Sequence, residues 1–169
     1  MAIRDSEFFA RDCLQVAQEL VGKVLVRRLP SGEILRMRIS QTECYCGEAD
    51  TACHAHKGRT KRTEMMYAKA GTMYIYLCYG MHWMLNIVTG LEGAPEAVLI
   101  RACVDADGPG KLTKALSVTG ALNGQSVLSR DALWVEDDAM ACTITAAKRV
   151  GIGYASQEDQ NKLWRFILQ

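Results

Sequence analysis

A glutamate and a tyrosine two residues apart, in Gln41-Thr42-Glu43-Cys44-Tyr45-Cys46, could do chemistry together. In an extended strand, alternation sends Glu43 and Tyr45 to one face and Cys44 and Cys46 to the other. The small apolar thiols suit a core. Glu43 and Tyr45 then share a more open surface, where the carboxylate could serve as a base. The plain alternative is a solvated strand glutamate beside an ordinary tyrosine. A second set lies in Thr72 to Met81, where Tyr74 and Tyr76 fall on one face and Tyr79 precedes Gly80 at a hairpin tip. A tip tyrosine packs poorly into a core, but a ring on a stiff finger can fill a gap in a base stack. Its alternative is a tyrosine ladder that only packs. Cys44, Cys46, Cys53, His54 and His56 offer thiolate and imidazole donors of the zinc type. They lack the spacing of a zinc knuckle, and the two histidines read more simply as hydrogen-bonded loop residues.

These residues must be positioned by the elements around them. Cys13, Val16, Ala17 and Leu20 share one helical face, with Asp12 and Gln15 suited to the start and Gly22 to the stop. Lys23 to Arg28 and Ile34 to Tyr45 read as strands joined across Pro30-Ser31-Gly32. Residues 46 to 71 show little apolar periodicity and read as a long ordered loop, a feature that is usually functional in a compact domain. Thr72 to Tyr79, His82 to Thr89 and Ala97 to Ala102 are further strands, the first two joined by a tight turn at Tyr79-Gly80. Asp107-Gly108-Pro109-Gly110 starts a helix over Leu112, Ala115 and Leu116. Ala132 to Val135, Cys142 to Thr145 and Leu163 to Leu168 read as late strands. Many strands in hairpin order with few helices predict an α+β fold. It is one domain over 1–169, on a curved, mainly antiparallel, open-barrel-like sheet with a protruding β-hairpin. No βαβ alternation, dinucleotide fingerprint or P-loop is present.

The 169 residues suit one domain, and 49% hydrophobic with 23% charged residues excludes disorder, collagen and coiled coil. No apolar run is long enough to span a bilayer. The charges in Met1 to Glu7 fall where a secretory signal needs an apolar core. Seven cysteines, an odd number, argue against a disulfide framework. The expectation is therefore a chain that is not secreted: cytoplasmic beside a bacterial nucleoid, or nuclear in a eukaryote, and not membrane-bound. Net charge is only +1, yet His54, His56, Lys57, Arg59, Lys61, Arg62 and Lys69 crowd one stretch, with Glu64 the one acid among them. A neutral protein can still present such a basic face to phosphates, although most runs of this kind are only solvated loops.

Taken in order, several segments resemble the alkyladenine (3-methyladenine, or methylpurine) DNA glycosylase family. They are Thr42-Glu43-Cys44-Tyr45, Ala52-Cys53-His54-Ala55, Gly58-Arg59-Thr60, Tyr74 to Met81, Asn86-Ile87-Val88, Leu99-Ile100-Arg101, Gly108 to Leu112 and Arg149 to Gly153. The resemblance runs from about Leu14 to Phe166, and the ordered set is more specific than any one segment. It implies that Glu43 activates a water for attack on the anomeric carbon of a flipped nucleotide. Arg101 would hold that carboxylate and water, and the Val150 carbonyl would also bind the water. Tyr45, His54 and Tyr76 would wall the base pocket, and Asn86 would crowd the 2-amino group of guanine. Tyr79 would be the intercalating finger with Met81 beside it, and Lys111 a phosphate contact at a helix start. No metal and no cofactor is implied, and the partner would be double-stranded DNA with damaged purines, met by a monomer.

Chemistry on a base inside a duplex requires its extrusion, a plug for the gap and a stacking pocket, which these residue types could supply. Two departures from the family pattern stand out. The link from Arg101 to Gly108 is short, so that a helical segment there is missing or replaced, and Lys61 stands where the loop often has proline. Two other readings remain at this point: a metal-dependent hydrolase built on the Cys/His cluster, and a nucleic-acid-binding module without chemistry.

Overall fold

The computed structural model describes all 169 residues. Its centre is a 13-residue strand, β2 (Ile34–Cys46), which is long enough to serve two sheets. The first half of β2 pairs antiparallel with β1 (Val24–Arg28), through the hairpin at Pro30-Ser31-Gly32. Register shifts between Ile39 and Thr42 then bend the strand, as bulges do. Its second half pairs with β5 (Glu96–Cys103) on one side and β8 (Arg165–Leu168) on the other. The sheet continues outward from β5 through β4 (His82–Thr89) to β3 (Met73–Cys78). At the other end β1 takes up β6 (Leu133–Glu136), and β7 (Ile144–Ala147) pairs with β8. Every pairing is antiparallel, and the sheet curls into a half-barrel with few helices.

Four short helices complete the chain: α1 (Ser6–Phe9), α2 (Cys13–Leu20), α3 (Pro109–Ala115) and α4 (Gln157–Asn161). Asp12 caps α2 by accepting from the N–H groups of Leu14 and Gln15. The Gln15 side chain turns to Glu19 and not back to the cap. Cys13, Val16, Ala17 and Leu20 are fully buried, and they join Cys44, Val98, Ile100, Leu85, Ile87 and Met73 in the main core. One face of the β2–β5–β4–β3 sheet is therefore sealed, by α2 over β2 and β5 and by α3 over β4 and β5. The opposite face is left for other work.

The loop after β2 is ordered by two 3₁₀ turns, His54–Lys57 and Glu64–Tyr67. The strand expected from Cys142 begins only at Ile144, because β8 offers partners from Leu168 inward. The short link after Arg101 closes as a tight turn between Cys103 and Ala106 and leads straight into α3. A further difference from expectation concerns the thiols. The first residue of α2 lies directly on β2, and Cys13 and Cys44 are joined there as one disulfide, not as part of a framework. The acids Glu136, Asp137 and Asp138 are spent on Arg36, Lys23 and Arg38. No helix is long and apolar enough to cross a membrane.

Candidate active site

Strand register assembles the site. Glu43 of β2 faces Leu99 of β5, Leu99 faces Asn86 of β4, and Asn86 faces Tyr74 of β3. Directly paired residues share a sheet face, so this row crosses four strands on the side away from α2. Alternation adds Tyr45, Arg101 and Tyr76 to the same face. Sequence positions 43 to 101 thus meet through hydrogen-bonded register alone.

Glu43 departs from expectation in one respect: its side chain is not on an open surface but 0% exposed. Residues 41–43 of β2 are flanked by strands on both sides, and the segment at Arg149-Val150 closes over them. Burial of a carboxylate is costly unless it is paired and hydrogen-bonded. Glu43 has two donors, the Tyr45 hydroxyl at 2.8 Å and the Val150 N–H at 2.9 Å, and an ion pair with the Arg101 Nε at 3.4 Å. Burial, together with the Glu43 charge, pushes the Tyr45 phenol well above its ordinary range, which keeps it a donor. Of Val150, the structure shows the backbone N–H on Glu43; the resemblance had pointed to its carbonyl.

Two adjoining cavities open on this face. The inner one is lined by Tyr45, His54, Tyr74, Tyr76 and Asn86, and the outer one by Glu43, Arg101, Val150 and Tyr79. Tyr45, His54 and Tyr76 border both, so a ligand in the inner cavity would lie next to the carboxylate. The His54 ring meets Tyr76 edge-on at 4.6 Å, and its Nδ1 lies 3.0 Å from the Tyr74 hydroxyl. Asn86 is buried, and its Nδ2 donates to the Tyr74 carbonyl. The hairpin tip turns through Tyr79 and Gly80, both at positive φ, with the Met81 N–H closing the turn on Cys78. Tyr79 is 89% exposed and Met81 70%. Lys111 sits exposed in the first turn of α3. Met81 and Lys111 line neither cavity.

Burial, helped by the Arg62 charge, lowers His54 to about 4. The ring is therefore neutral at pH 7: it keeps one N–H as a hydrogen-bond donor but is not a general acid there. Because the folded value lies below the unfolded one, His54 contributes stability above about pH 6.5, and that contribution is lost as pH falls towards about 4. His54→Gln should flatten the fall in unfolding free energy across this window, which denaturant titrations at several pH values would measure. An unchanged slope would mean that folding leaves the proton affinity of His54 unaltered.

Sequence reading missed two residues of the site. Tyr154 borders both cavities and donates its hydroxyl to the Ala52 carbonyl at 2.7 Å. Arg149 is buried in an ion pair with Asp50 at 2.6 Å, and it also donates to the Cys44 carbonyl at 2.9 Å. That contact fastens the Val150 segment to β2 behind Glu43. Arg149 opens a segment that the sequence singled out, but nothing local marks its role, because its partner lies 99 residues away. The Cys/His donors do not converge as a set: His54 turns to Tyr74, and His56 to the Glu48 carbonyl. Cys44 and Cys46 instead gather with Cys13.

Comparison with known proteins extends these observations over the whole chain. A family model described as methylpurine-DNA glycosylase matches residues 7–106 and 104–169. A protein of Psychrobacter cryohalolentis is 45% identical over 95% of this chain and 89% of its own. One of Methanocella arvoryzae is 43% identical, covering 98% of this chain and 92% of its own. One of Natranaerobius thermophilus is 41% identical, with 98% and 94% covered. Each carries the name 3-methyladenine DNA glycosylase.

Proposed function

Because the chain belongs to the methylpurine-DNA glycosylase family, whose members hydrolyse N-glycosyl bonds in DNA, we propose a mechanism in which Glu43 activates water against a flipped purine nucleotide. The observation that carries this reading is the placement of a fully buried carboxylate, held by two donors and an ion pair with Arg101, at the mouth of an aromatic cavity. A damaged purine extruded from the duplex enters between Tyr45, Tyr76 and His54, which exclude water and stack on its faces. Glu43 takes a proton from a water as its oxygen attacks the anomeric carbon. The bond to the purine nitrogen breaks with its electron pair on the base, and the sugar passes through a cation-like state. Arg101 holds the carboxylate in place. The chain acts as a monomer on duplex DNA and leaves an abasic site. Incubation with duplexes carrying 3-methyladenine or hypoxanthine tests this: free base with an unbroken strand is expected, whereas no released base on either substrate would reduce the protein to a binding module.

Neutral His54 has a consequence for substrate choice. A cationic base such as 3-methyladenine leaves without further protonation, whereas hypoxanthine needs an acid that His54 does not supply at pH 7. The site therefore favours cationic alkylpurines.

Tyr79 is the wedge in this reading, since an exposed ring on a closed hairpin turn can replace the extruded base in the stack. Tyr79→Ala should weaken binding to damaged duplex by about 1–3 kcal/mol while sparing excision from single strands. Equal losses on both substrates would remove the ring from that role.

Asn86 selects by obstruction. Its amide is held by the Tyr74 carbonyl, which supports its role as a fixed obstacle to a guanine 2-amino group. Asn86→Ala should raise excision of guanine and 7-methylguanine relative to 3-methyladenine, because deleting an obstacle relaxes discrimination without new contacts. Base release measured by chromatography decides it, and an unchanged ratio would free Asn86 of the task.

A further inference from the structure

The sheet face opposite the catalytic carboxylate carries a second cluster of reactive side chains. Cys13 is the first residue of α2, and Cys44 and Cys46 stand two apart on β2, so one strand face and one helix start bring three sulfurs within 4.8 Å of one another. The Cys44 and Cys46 sulfurs are 3.0 Å apart. Cys13 and Cys44 are fully buried and Cys46 half-buried, which leaves one side open to solvent.

Glu96 supplies an independent observation. It is the cross-strand partner of Cys46, and so projects from the same face. Its carboxylate is half-buried, accepts the Cys13 N–H at 3.3 Å, and has no cationic side chain as partner. A half-buried carboxylate without a counter-ion, on the same sheet face as the three sulfurs and against the start of α2, is a setting that a cation would complete.

We propose that in the reduced protein Cys13, Cys44, Cys46 and Glu96 bind one thiophilic divalent ion of the zinc type, outside the catalytic site. Zinc is held by sulfur at about 2.3 Å and carboxylate oxygen at about 2.0–2.2 Å in tetrahedral sites, which spaces the sulfurs at about 3.8 Å. Small side-chain rotations reach that spacing from the observed cluster. Reduction of the Cys13–Cys44 bridge consumes two electrons and two protons, supplied by an added phosphine and water, with the phosphine leaving as its oxide. Metal binding then releases three thiol protons to solvent while the carboxylate binds as the anion. The bridge and the metal are alternative clasps between α2 and the strand that carries Glu43 and Tyr45. Neither enters the glycosylase chemistry, and the inference stands whatever base is excised.

The test uses the full chain, reduced with a phosphine, desalted without oxygen and titrated with Co²⁺ and then Zn²⁺. One Co²⁺ per chain is expected, with a thiolate-to-metal charge-transfer band that Zn²⁺ abolishes. Cys46→Ser, at the half-buried position and therefore the mildest for folding, should weaken binding by more than about 100-fold, since even outer-shell partners cost about 10–100-fold. Glu96→Gln should weaken it too, and Cys142→Ser, on an exposed thiol outside the cluster, should leave it intact. Protein carrying the Cys13–Cys44 bridge should bind none. A reduced wild type without stoichiometric binding, or a Cys46→Ser variant with an unchanged band, would overturn the proposal.

Discussion

Asp50→Ala should lower the unfolding free energy by about 3–5 kcal/mol, the cost of leaving one member of a buried ion pair without its partner. Arg149 and Asp50 are both essentially inaccessible to water, and two short hydrogen bonds join them. Asp50 also accepts the N–H groups of Cys46 and Ala52, so its loss leaves backbone donors unpaired as well. The guanidinium carbon also lies 4.9 Å from the Tyr45 ring centroid and 5.0 Å from that of Trp164, within cation–π reach. In a domain of this size each kcal/mol moves the midpoint by about 2–4 °C, so the variant should melt roughly 10 °C below wild type. Asp50→Ala combined with Arg149→Met should recover much of the loss, because an apolar side chain needs no counter-ion. Thermal and denaturant unfolding of the two variants measures this. A single variant within 1 kcal/mol of wild type would contradict the buried-pair account.

The same pair explains a limit of sequence reading. Strand alternation placed Glu43, Tyr45, Tyr74 and Tyr76 on their faces correctly, because a period of two is fixed by backbone geometry. Apolar spacing likewise located α2, with Cys13, Val16, Ala17 and Leu20 against the core. The turn at Tyr79-Gly80 was legible from the glycine. Burial of Glu43 was not, because the segment that covers it joins the chain more than 100 residues later and is fastened by Arg149 to Asp50 and to the Cys44 carbonyl. Periodicity is local, and this contact is not. Helices α1 and α4, of four and five residues, are too short to show a period at all. Cys13 meeting Cys44 follows the same rule: each lay in its own element, and only the packing of α2 on β2 brings them together. The ordered motifs were enough to suggest a family, whereas the neutral state of His54 emerged only from the enclosure around it.

Glu43→Gln carries the largest expected loss of activity. The amide keeps the size of the side chain and an acceptor for the Tyr45 hydroxyl or the Val150 N–H, so the fold should be retained. It cannot take a proton from water. General-base catalysis typically contributes about 100- to 10,000-fold, or roughly 3–5 kcal/mol of barrier. Binding should survive, since removal of a negative charge near the phosphates does not weaken their attraction to the protein. The direct measurement is single-turnover release of 3-methyladenine from duplex DNA by the Glu43→Gln variant and wild type, with duplex affinity read in parallel. The account predicts affinity at or above wild type with release slowed at least about 100-fold. Release within a few-fold of wild type, at unchanged affinity, would contradict the assignment of Glu43 as the base that activates water.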